Sequence, residues 1–109
     1  MPVPKDRLHG TLDALVLKTL TFGPRHGYGI VRWLREQTGN GVPIEEGSVY
    51  PALYRMERDG WIAADWGTSE LGRKAKVYSI TSKGRLQLRA EAEEFASFVT
   101  LVAPLLLPT

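Results

Sequence analysis

A chain of 109 residues without an evident linker fits one domain with a modest core. Zero cysteines exclude disulfides, thiolate metal sites and a cysteine nucleophile, and agree with a reducing cytoplasm. The net charge of +2 is small, but from residue 73 to residue 90 there are six basic side chains (Arg73, Lys74, Lys76, Lys83, Arg85, Arg89) and no acidic one, a bias that points to an anionic partner.

The opening MPVPKDRLHG lacks the apolar core of a secretion signal. No run reaches the roughly 18 apolar residues of a spanning helix, so the expectation is a soluble, cytoplasmic chain with no membrane partner. LHGTLDALVLKTLTFG then sets Leu8, Leu12, Leu15, Val16 and Leu20 at helical spacing, starting at or before Thr11 and ending at Gly23-Pro24. A turn, GPRHG, leads into YGIVRWLREQTGNG, with an apolar stripe of Ile30, Val31 and Leu34, a polar one of Arg32, Arg35 and Glu36, and a stop at Gly39. In EEGSVYPALYRMERDGWI, Val49, Ala52, Leu53 and Met56 fall on one helical face. Ser48 reads as the N-cap, which puts Pro51 in the first turn, where its missing N–H costs nothing, and Gly60 closes the helix. From Trp61 the period becomes two: WIAADWG and AKVYSIT, separated by TSELGRK, predict a hairpin. Thr81 caps a long last helix in which Leu88, Ala92, Phe95, Val99, Val102 and Leu106 form a seam, with Pro104 expected to kink or end it early.

Three short helices, a hairpin and a final helix give a mainly α fold with a small β-hairpin, in the order of a winged helix-turn-helix. The division falls at residues 1–81 for the winged unit and 82–109 for the last helix. With the third helix's apolar face inward, Tyr50, Pro51, Tyr54, Arg55 and Arg58 turn outward, a surface able to meet bases and phosphates of double-stranded DNA. A solvated helix face would need no partner. Arg73, Lys74 and Lys76 suit phosphates beside it, although lysines also protect exposed strand edges. Tyr28, where helix two begins, is a further phosphate-contact candidate. Enzyme constellations are weak. HGYG lacks a phosphate-loop lysine, His9 and His26 lack metal-site company, and Glu45-Glu46 suit a helix N-terminus. The reading is therefore no enzyme, no metal and no cofactor.

GTLDALVLKTL, GPRHGYGI, EEGSVYPALYRMERDGWI and GRKAKVYSITSKGR, in this order, resemble the PadR family of bacterial transcription regulators over residues 8 to 90. A single C-terminal helix is similar to the smaller subfamily. The resemblance implies a homodimeric repressor on an inverted-repeat operator, with Ser48, Tyr50, Pro51, Tyr54 and Arg55 on the recognition helix and Tyr50-Pro51 matching the family's Tyr-Pro. It implies a dimer interface on the last helix, here Leu88, Ala92, Phe95, Phe98, Val99 and Val102. It also implies release by a small hydrophobic or phenolic effector, with Phe95 and Phe98 as lining. WIAADWGTSELGRKAKVY resembles PadR-like regulators found beside transporter genes, while the apolar tail LVAPLLLPT departs from the pattern. A winged-helix module binding another protein through the same faces is the alternative.

Overall fold

The apolar stripes converge on one core, in which Val16 and Leu17 meet Ile30, Val31, Val49, Leu53, Met56 and Ile62, all sealed from solvent. This computed structural model describes residues 11–68 and 71–108; Leu8 and His9, and the Ser69-Glu70 part of the expected turn, lie outside them. The elements are α1 (Leu12–Leu20), β1 (Arg25–His26), α2 (Gly27–Gln37), α3 (Glu46–Arg58), β2 (Ile62–Thr68), β3 (Lys74–Ile80) and α4 (Ser82–Leu106). In α1 the buried set includes Leu17, whereas Leu15 is only half-buried and turns toward α4.

The hairpin forms with Ile62 opposite Ile80 and Thr68 opposite Lys74. It is not alone, because Arg25 and His26 pair with Tyr78 and Val77 to make a three-stranded antiparallel sheet in the order β1-β3-β2. Two residues carry no readable period, so the segment expected as a turn becomes a strand only when β3 supplies its hydrogen bonds.

The third helix starts earlier than its sequence suggested. Glu45 is extended and its carbonyl accepts the N–H groups of Ser48 and Val49, so Ser48 lies inside the helix and is not its cap. Glu46, in the first turn, favours the positive helix end. Pro51 therefore sits in the second turn, where it cannot donate to the Gly47 carbonyl. That defect costs up to roughly 3 kcal/mol, and burial of Val49, Ala52, Leu53 and Met56 offsets it. The C-terminus behaves as expected: Gly60 is left-handed (φ 80°), its N–H reaches the Glu57 carbonyl, and the Trp61 N–H reaches Met56 at 2.9 Å.

Thr81 caps α4 as the sequence indicates, its Oγ1 accepting the Gly84 N–H at 3.0 Å. Pro104 does not end α4, which continues to Leu106 before Leu107 turns extended. So near a C-terminus, only the Thr100 carbonyl loses a donor, and helical neighbours on either side hold the segment. Among the described residues, the first part of α4 packs on the core of the winged unit, through Gly84 and Leu88. Among the described residues no helix is long and apolar enough to cross a membrane.

Candidate nucleic-acid interface

Burial of one face of α3 leaves the other to solvent. Tyr54 is 72% exposed and Tyr50 43%, with Pro51 and Arg58 also exposed and Ser48 half-buried at the rim. Tyr50 is not a loose ring. It lies across the first residue of α2, where a Cβ on Gly27 would come within 2.5 Å of Tyr50 Cε1, so glycine at that position lets the two helices approach. Partial burial, and then the nearby Glu46 and Tyr78, raise the Tyr50 pKa. Tyr28, the next residue of α2 after Gly27, is exposed in the first turn of that helix.

Arg55 is less available than its position suggested. Its guanidinium makes a bidentate pair with Asp13 of α1, at 2.6 and 2.9 Å, and the hydrogen bond to Asp13 is the main reason its pKa is raised. Glu91 of α4 adds to the same field and lines, with Asp13 and Pro51, the groove beside Arg55. Arg55 thus stands where α1, α3 and α4 meet. The outward face expected from helical spacing remains partly true, since the Arg55 side chain is 42% exposed.

The hairpin is tied to the same helix. Lys76 donates to Glu57 at 3.1 Å, which fastens β3 to α3 and raises the lysine pKa. Arg73 and Lys74, nearer the tip, are exposed. Lys83 meanwhile donates to the Asp59 carbonyl at 2.9 Å and stabilises the α3 end.

Residues 16–90 match the sequence profile of the transcriptional regulator PadR-like family. The chain belongs to that family. It is 31% identical to an uncharacterized protein of Lysinibacillus sphaericus over 92% of each chain. The PadR-like transcriptional regulator of Bacillus cereus superposes with a TM-score of 0.80 at 31% identity, covering 95% of this chain and 99% of that one. Bacillus subtilis PadR in complex with operator DNA has the same fold, with a TM-score of 0.65 at 24% identity over 72% of this chain and 45% of that one. The PadR-like family is one of transcriptional regulators, in keeping with the expectation that this chain is not an enzyme.

The rest of this PadR-like surface lies on α4. Phe95 and Phe98 are more than half exposed, Ala92 and Val99 are exposed and Val102 is half-buried, while Leu88 packs on the chain's own core. Leu15, Leu88, Ala92, Phe95 and Phe98 wall an open cleft of about 670 Å³ between α1 and α4. Sequence reading missed Asp13 as a partner of α3. An acidic residue in a first turn is common enough to pass as helix-end stabilisation, and nothing local links it to an arginine 42 positions later.

Proposed function

We propose that this chain is a repressor that binds an inverted-repeat operator as a homodimer, with residues 1–81 on the DNA and helix 82–109 joining two copies. The observation that carries this reading is the α3 face. Tyr50, Pro51 and Tyr54 stand out from a helix locked into the core, and the basic hairpin lies beside that helix, with Lys76 paired to Glu57. The fold shared with Bacillus subtilis PadR, solved on operator DNA, supports the choice of partner. Tyr50, Pro51 and Tyr54 are assigned to the major groove, with Ser48 at its edge, and Arg73, Lys74, Lys76 and Tyr28 to the backbone. The cleft between α1 and α4 is the seat of a small hydrophobic or phenolic effector, with Phe95 and Phe98 on its wall.

Sequencing the genomic fragments that the protein retains yields the operator, and a salt series then tests the reading. Neutralising Arg73, Lys74 and Lys76 together should weaken operator and random duplex alike. The slope of log K against log salt should become shallower by about 0.9 for each phosphate that is no longer neutralised. No retained DNA, or affinity insensitive to salt, would instead favour a protein-binding module.

Arg55 gives a second test by fluorescence anisotropy. Arg55→Ala should cost about 1–3 kcal/mol on operator and much less on random DNA. Asp13→Asn weakens the tether but keeps the guanidinium, so discrimination should persist. Equal losses from the two substitutions would make Arg55 a strut between helices and not a base reader.

A further inference from the structure

A pocket of about 260 Å³, lined by Arg25 and Arg32 with Glu36 at its rim, opens between β1, the outer face of α2 and the last residue of β2, Thr68. Arg25 is its distinctive member. The Arg25 guanidinium stacks over Trp33, 5.7 Å from the ring centroid, and Trp33 is itself braced by Phe22 at 5.4 Å. Its Nε is buried without a hydrogen-bond partner, the single such side-chain atom among the described residues. Among those residues, no carboxylate lies within ion-pair distance of Arg25.

A cation in that condition is poorly explained as a strut, because a structural arginine normally ends on a carboxylate or a carbonyl. The indole face offsets part of the cost of its desolvation and fixes the guanidinium plane, which leaves the two terminal Nη groups, rather than the buried Nε, to meet an anion in the pocket. Arg32 lines the same pocket, and its Nε lies 3.8 Å from Glu36 Oε1. The helix end supplies no free donor at Gly29, since His26 Nδ1 accepts that N–H at 3.0 Å. The pocket's size fits a phosphate group and falls below the roughly 300 Å³ at which sites for larger organic ligands begin. Its position, with the hairpin's Thr68 on one wall and the start of α2 on the other, lies between two segments assigned to the DNA backbone.

We propose that this pocket holds a backbone phosphate of the bound duplex, with Arg25 as the principal ligand and Arg32 as the second. The proposal rests on the DNA-binding reading and extends its footprint from α3 and the hairpin to β1 and the outer face of α2. The full-length protein is titrated by fluorescence anisotropy against a random-sequence duplex and an operator fragment over a salt series, with melting temperatures measured in parallel.

Arg25→Gln should weaken both duplexes by a similar factor, about tenfold, and reduce the salt slope by about 0.9 per phosphate. Arg25→Lys keeps the charge without the fork and should retain the slope while losing part of the affinity. If Arg25→Gln melts below the assay temperature, Arg32→Gln carries the same slope test from the exposed rim. An unchanged slope in the folded glutamine variants overturns the site and leaves the regulator reading standing. Wild-type protein that binds neither duplex overturns that reading and the site together. Inorganic phosphate that raises the wild-type melting temperature but not that of Arg25→Gln, with unchanged DNA slopes, gives the pocket to a free anion and also overturns the proposal.

Discussion

Phe95→Glu combined with Phe98→Glu should give a folded monomer that binds a two-half-site operator about 100-fold more weakly than the wild-type chain. Both rings are more than half exposed on α4, and neither belongs to the core that holds the winged unit together. The substitutions should therefore leave the melting temperature of that unit nearly unchanged. The same stretch of helix exposes Val99, Leu101 and Leu105, an apolar surface larger than soluble monomers usually leave uncovered. In the proposed dimer a second copy of α4 would cover it. Two carboxylates in place of the rings make that association costly, because each would have to be buried without a cation. The affinity loss follows from geometry: joining two winged units turns the second half-site interaction into an intramolecular event, a gain of about 10²–10⁴. It requires half-sites one helical turn apart, about 34–36 Å. Light scattering and anisotropy on one sample decide the matter. A variant that stays dimeric, or a monomer that keeps wild-type operator affinity, would remove α4 from the assembly.

Gly84→Ala should lower the stability of the chain by about 3 kcal/mol, or roughly 10–20 °C in Tm by the usual scaling for domains of this size. The sign is informative, since glycine to alanine within an ordinary exposed helix stabilises by up to about 1 kcal/mol. Gly84 is buried instead. A Cβ there would overlap the Trp61 carbonyl oxygen, and would lie 2.9 Å from its carbon and 3.0 Å from Ile80 Cγ1. The obstacle is backbone and cannot rotate aside. That carbonyl also accepts the Thr81 N–H at 3.1 Å and lies 2.9 Å from Thr81 Oγ1, so displacing it strains the α4 cap as well. A thermal melt followed by circular dichroism measures the effect. An unchanged or higher Tm would mean that α4 can shift along the winged unit at little cost, and the fixed helix position used for the dimer would go with it.

Spacing along the chain determined most of the architecture. The stripes Ile30-Val31-Leu34 and Val49-Ala52-Leu53-Met56 are buried as their periods require, because helical period is a property of neighbours a few residues apart. The stops at Gly39 and Gly60, the Thr81 cap and the strand alternation after Trp61 are local in the same sense. The outward placement of Tyr54 followed from the same arithmetic. Other features arise only when distant segments meet. β1 exists because β3 pairs with it. α3 begins at Glu46, ahead of a serine that looks like a better cap, because burial of its core face outweighs both capping preference and the proline defect. The pairing of Arg55 with Asp13, the packing of Gly84 on Trp61 and the seating of Arg25 on Trp33 each join residues that no local pattern relates. Local periodicity therefore specified which faces point inward, while tertiary packing decided which outward charges are tethered and which stand ready for an anion.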